Sequence, residues 1–147
     1  MMTQVRKALP EDTSFIYSSW LNHQRDLFPN RIIPGRMYFK GESYRLDRLL
    51  EKTNVYVATP AEDTSQILAW ICATTSPTLI IHYAFTKPTF RRLKLFNNLL
   101  TVIDPNQLQL NEDIPITRIS KELLSYGMLH KYKFVFNPYL EEKILRL

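Results

Sequence analysis

A chain of 147 residues, 45% apolar and 12% aromatic, has the material for one sizeable core. Its single cysteine, Cys72, excludes a disulfide framework and any zinc site built on several thiolates. The net charge of +5 admits an acidic partner, whether a nucleotide, a nucleic acid or an acidic protein. The basic residues are dispersed, with Arg91-Arg92-Lys94 and Lys131-Lys133 forming the tight groups, which argues more for solubility than for a DNA-binding stripe and makes nucleic acid the weaker candidate. No apolar run approaches the roughly 20 residues of a membrane span, and the N-terminus lacks the apolar stretch of a signal peptide. The expectation is one soluble, cytoplasmic domain over residues 1–147.

In chain order, Val5 to Ala8 predicts a short strand. Pro10-Glu11-Asp12 then starts a helix, with proline in the first turn and acids near the positive end of its dipole. Phe15, Ile16, Trp20 and Leu21 recur on one face of that helix. Phe28 to Gly41, broken by Pro29, Pro34, Gly35 and Gly41, predicts a connecting loop or short irregular helix, and Glu42 to Lys52 predicts a second helix. Three runs rich in β-branched and aromatic residues follow, Asn54–Thr59, Gln66–Thr75 and Thr78–Thr86. The short links between them predict an antiparallel meander, with the last run central and buried on both faces. A helix is predicted from Arg91 or Arg92 to about Asp104-Pro105. Short strands are expected within Gln107–Ile119, a helix capped by Ser120, and a late strand over Lys131–Tyr139. The terminal EEKILRL is amphipathic enough to pack on its own sheet or on another chain.

The stretch FTKPTFRRLKLFNNLL, Phe85 to Leu100, leaves an apolar strand through a Lys-Pro turn, passes two arginines and enters a helix. A loop that wraps phosphates is built in this way, because backbone N–H groups at a helix start face the anion. The order of elements, together with LIIHYAFTKPTFRRLKLFNNLL, resembles the GNAT acetyltransferase superfamily. The overall pattern, including FIYSSWL, is also similar to acetyltransferase-like proteins encoded by tailed bacteriophages. The resemblance covers most of the chain. It implies an α/β (α+β) fold with a mixed, mostly antiparallel central sheet flanked by about four helices. It further implies acetyl-CoA as cofactor, no metal, and Arg91, Arg92, Leu93, Lys94 and Leu95 as the pyrophosphate loop.

In that loop the family takes small residues where this chain has Lys94 and Phe96. Lysine can still offer charge to a phosphate, whereas the phenylalanine ring takes up the space needed for close backbone approach. For catalysis, the family positions an amine against a thioester, with a base and often a tyrosine acid. The strand Thr78–Thr86 has no carboxylate, which leaves His82 as its candidate base. Tyr126 is the candidate acid, although it is displaced from the family's tyrosine position. Aromatics beside Arg31 and Arg36, notably Tyr38 and Phe39, suit a protein-binding surface. Two functions remain open. One is a degenerate scaffold that binds a phage or host protein, in the host cytoplasm or on the virion. The other is an acetyl-CoA-dependent N-acyltransferase.

Overall fold

The computed structural model describes residues 1–27, 29–105, 112–123 and 132–147, with Arg92 described by its backbone alone. Six strands form one sheet in sequential order: β1 (Thr3–Lys7), β2 (Asn54–Pro60), β3 (Ala69–Thr74), β4 (Ile80–Thr86), β5 (Asp113–Ile116) and β6 (Lys133–Phe136). The first four pair antiparallel, and β5 and β6 each pair parallel to the strand before. The mixed, mostly antiparallel class read from the sequence is the class observed.

The helices are α1 (Thr13–Arg25), α2 (Gly35–Leu50), α3 (Leu95–Ile103) and α4 (Tyr139–Leu145), and residues 121–123 are also helical. Ser120 caps that last segment, its hydroxyl accepting from the Leu123 N–H at 3.2 Å, as the serine-before-acid pattern predicts. At the start of α1, Asp12 is buried, accepts the Leu9 N–H at 2.7 Å and pairs with Arg6 at 2.7 Å. One carboxylate therefore ties β1 to the entry of the first helix, and the Arg6 hydrogen bond holds its pKa below the usual range.

Two expectations change. Helix α2 starts at Gly35 rather than Glu42, so the expected loop is largely helix. An interior glycine costs a helix only about 1 kcal/mol, and α2 is anchored by its buried side: Tyr38, Leu46 and Leu49 face inward, and the Tyr38 hydroxyl donates to the Leu21 carbonyl at 2.7 Å. Helix α3 starts later than Arg91. Pro88–Leu93 forms a 3-10 turn first, and the α-helix begins only at Leu95. The expected strand near Gln107 lies outside the described residues.

The sheet is covered on both faces. Ile71, Ile81, Ala84, Leu95, Leu99 and Leu100 belong to the core beneath α3. Trp20, Tyr38, Leu46, Trp70 and Tyr83 belong to the core beneath α1 and α2, which Ile144 of α4 joins. Strand β3 is buried along nearly its whole length and β4 on both faces, which explains their continuous apolar runs. The register of β3 against β4 slips between Cys72 and Ala73. Such a bulge bends a strand and raises its twist, and it lies level with the point where β4 meets β5.

Candidate functional site

Strands β4 and β5 are paired at one position, Ile81 opposite Ile116, where the Thr117 N–H donates to the Ile81 carbonyl at 3.0 Å. Beyond it the two chains part, and among the described residues no strand pairs with this edge of His82–Thr86. A sheet opened in its middle presents unpaired backbone groups inside the protein, and buried backbone groups demand partners. The split is therefore where an extended ligand could lie, or where side chains must substitute for one.

Side chains occupy it. Glu122, in the first turn after Ser120, brings Oε1 to 3.4 Å from the Thr86 N–H, 3.7 Å from Arg91 Nη2 and 3.9 Å from His23 Nε2. Its side chain is only 7% exposed, and Oε2 has no hydrogen-bond partner among the described residues. His23 Nδ1 is 2.8 Å from the Tyr83 hydroxyl. Burial raises the Tyr83 phenol, so it keeps its proton, and the other ring nitrogen of His23, Nε2, faces Glu122. Burial pushes His23 down, Arg91 and Lys121 act in the same direction, and Glu122 and Asp26 oppose them.

The loop between β4 and α3 keeps part of a phosphate-loop geometry and loses another part. Lys94 has φ 55° and ψ 33° and immediately precedes α3. This left-handed conformation is the one glycine adopts freely, so the backbone still turns as a small residue would turn it. The Lys94 side chain is exposed and Arg91 is half exposed, whereas Leu95 is buried. Leu93 is 40% exposed. Phe96 is buried, and its ring packs at 6.4 Å from that of Phe134 on β6, within the core under α3. Since a non-glycine residue in this region is strained by about 1–2 kcal/mol, Lys94→Gly should leave Tm unchanged or raise it, and Lys94→Val should lower it; thermal melts of the two variants check this.

The other residues singled out in the sequence fall elsewhere. His82 is fully buried, with Nε2 at 2.9 Å from the Thr74 hydroxyl and Nδ1 at 2.8 Å from the Thr117 hydroxyl. Both ring nitrogens are engaged at the β4–β5 junction, and burial pushes its pKa down to about 4. The environment is that of a neutral histidine held between two hydroxyls. Tyr126 lies outside the described residues, as does the Arg92 side chain. Arg31 and Arg36 are exposed and Phe39 is 40% exposed. Tyr38 is instead core: it is 2% exposed, because its ring and hydroxyl lock α2 onto α1.

The sequence reading missed Glu122 and His23, which carry the split, and Arg118, which underlies it. Arg118, its side chain 10% exposed, donates to Glu42 at 2.7 Å, to Glu141 at 2.6 and 2.9 Å and to Gln24 at 2.6 Å, and it lies 5.4 Å from the Trp20 ring. Burial alone would lower it, but its bonds to Glu141 and Glu42 raise it above an ordinary arginine. This network joins α1, α2, the segment after β5 and α4. A signal for Glu122 was available, because a carboxylate in the first turn after a serine cap points back toward the preceding strand end; Arg118 carried none. Among the described residues no group of His, Cys, Asp and Glu is arranged to hold a metal, and no helix is long and apolar enough to cross a membrane.

No family model and no curated protein matches the chain. Solved structures do. A "possible acetyltransferase" from Clostridium difficile 630 is 20% identical over 93% of this chain and 95% of its own, with a TM-score of 0.59. An acetyltransferase of the GNAT family from Staphylococcus aureus Mu50 is 15% identical over 84% and 78%, with a TM-score of 0.54. Aminoglycoside N-acetyltransferase AAC(6')-Iy in complex with CoA is 13% identical over 88% and 84%, with a TM-score of 0.50. The fold is that of the GNAT acetyltransferases.

Proposed function

We propose that this GNAT-fold chain has given up acyl-CoA in the pose of its structural neighbours and works by binding another macromolecule. One observation carries this reading: the split between β4 and β5 is filled by the protein's own side chains. Glu122 bridges the free edge of β4 to the loop arginine. An incoming acyl-CoA has to displace a carboxylate from Arg91. Fold alone does not carry activity, so the contents of the site decide.

The binding surface we assign is the start of α2 and the turn before it. Arg31, Arg36 and Lys40 are exposed together with Ile32, Met37 and Tyr44, which are 70%, 65% and 62% exposed. Among the acids of α2, Glu42 is drawn into the Arg118 network and Asp47 accepts from Tyr17 at 2.6 Å. The first half of α2 therefore shows cationic and apolar groups outward, which suits an acidic protein surface. A component of a phage particle, or a phage-encoded factor directed at a host protein, fits the sequence resemblance.

An active acetyl-CoA-dependent N-acyltransferase is the second reading, favoured by the left-handed backbone at Lys94. The two separate in a thermal-shift assay. A ligand at about 100 times its Kd stabilises a fold by about 2.7 kcal/mol, which moves Tm by several degrees in a domain of this size. Acetyl-CoA is expected to leave Tm unchanged; a saturable rise would favour the enzyme.

A further inference from the structure

Helix α2 buries Tyr38, Leu46 and Leu49 and turns its opposite face to solvent. On that face Met37, Gly41, Tyr44 and Arg48 recur at i, i+4, i+7 and i+11, the spacing at which one helix presents a seam to another. Met37 and Tyr44 are 65% and 62% exposed, large apolar groups left outside the core. The Arg48 guanidinium lies 5.8 Å from the Tyr44 ring and its Nη1 donates to the Tyr44 hydroxyl at 3.4 Å, which steadies the ring at the surface. Between Met37 and Tyr44, no atom lies within 4 Å of where a side chain at Gly41 would begin. A glycine inside a helix weakens it relative to alanine, and no packing within the fold requires one here. The stripe therefore carries a notch between two apolar knobs.

The charge around the stripe is of one sign. Arg36 and Lys40, exposed and one turn apart, border it on one side, and Arg48 closes its far end. Among the described residues none of these three joins an ion pair. The acids of the same helix are committed elsewhere, Glu42 to Arg118 at 2.7 Å and Asp47 to the Tyr17 hydroxyl at 2.6 Å. We infer that this face of α2 is the docking seam for an acidic amphipathic helix of a partner protein, its apolar residues seated over Met37, Gly41 and Tyr44 and its carboxylates against Arg36, Lys40 and Arg48. The inference rests on the reading that the chain works by binding a macromolecule, and it gives that macromolecule its chemistry. A helix suits the face because side chains repeating every three or four residues interdigitate along about 16 Å of axis. An added strand needs unpaired backbone groups, which the middle of a helix does not offer. Acidic flanks complement the cations and set the register, whereas two large apolar residues give a bilayer little surface to bury.

The test is fluorescence anisotropy of a labelled synthetic peptide of about three heptads, with leucine at a and d and glutamate at e and g, titrated with the wild-type chain, Tyr44→Ala and Gly41→Gln. Like charges at e and g keep the peptide from pairing with itself, and the same peptide with glutamine for glutamate is the control. Expected are saturable binding of the acidic peptide, at least about tenfold tighter than the control, and a loss of at least about tenfold in each variant. Gly41→Gln separates docking from folding, because the longer side chain fills the notch while relieving the helix of a glycine. Its Tm should equal or exceed that of wild type while its affinity falls. No saturable binding at about millimolar chain would overturn the inference, as would equal binding of the control peptide or an unchanged affinity in either variant. So would tighter binding to phosphatidylserine vesicles than to the peptide, or self-association that Tyr44→Ala abolishes, since either gives the face to another occupant. Failure of the seam without CoA binding leaves the macromolecule reading in place with a partner of other chemistry, while CoA binding by the wild-type chain sinks that reading whatever the peptide does.

Discussion

Arg118→Leu is expected to destabilise the fold by about 3–5 kcal/mol, because removing one member of a buried ion cluster leaves the other charges without compensation. Glu141 is 3% exposed and receives two of the guanidinium's hydrogen bonds, and Glu42 receives a third. Arg45 still reaches Glu141 at 3.0 Å, but it is too exposed to replace a buried partner. At roughly 2–4 °C per kcal/mol for a domain of this size, Tm should fall by about 10 °C. Arg118→Lys keeps the charge but not the planar fork, and should recover only part of the loss. A fall of a degree or two in Arg118→Leu would mean that the network is peripheral. The loss should also loosen α4, since Glu141 is that helix's main polar tie to the sheet side of the molecule.

The second large effect is a dependence on pH that belongs to His82. Its folded pKa is depressed from 6.5 to about 4 by burial, so in the window between these values the unfolded chain binds a proton that the folded chain refuses. Stability is therefore complete above about pH 6.5 and declines as pH falls toward 4, by about 3 kcal/mol in all, since each pH unit between the two values contributes about 1.36 kcal/mol. His23, also lowered by burial, acts in the same direction, so the His82 share is read from a difference. In His82→Gln the acid-side decline between pH 6.5 and 4 should shrink by about that amount, measured by denaturant unfolding at successive pH values. Curves that fall in parallel for wild type and variant would show that His82 does not titrate as its burial requires.

Much of the fold was legible because the strands announce themselves. The β-branched and aromatic runs marked β2, β3 and β4 with small errors at their ends, and the double-sided apolar pattern of Thr78–Thr86 placed β4 in the interior. The start of α2 was not legible: Pro34, Gly35 and Gly41 look like breakers, and only the tertiary anchor of Tyr38 on the Leu21 carbonyl shows why the helix runs through them. No atom stands within 4 Å of where a side chain at Gly41 would begin, so that glycine is tolerated rather than required.

The site was legible in part. The missing small residues at Lys94 and Phe96 could be read directly, and the ring of Phe96 does turn inward. That Lys94 would nevertheless adopt a left-handed backbone could not be read, because lysine gives no local reason for it. His82 looked available because strand sequences do not reveal a neighbour's hydroxyls; Thr74 and Thr117 approach from either side and close it off. Glu122 and His23 are far apart in the chain and meet only because β4 and β5 diverge between them.

Calorimetric titration of the purified chain with acetyl-CoA and with free CoA tests most directly whether the split is closed. No saturable heat at about millimolar ligand, corresponding to less than about 4 kcal/mol of binding free energy, is the result predicted. Micromolar, saturable binding of either ligand would contradict it: Glu122 would then be a displaceable occupant, Phe96 a tolerated neighbour, and the search would turn to an acceptor amine.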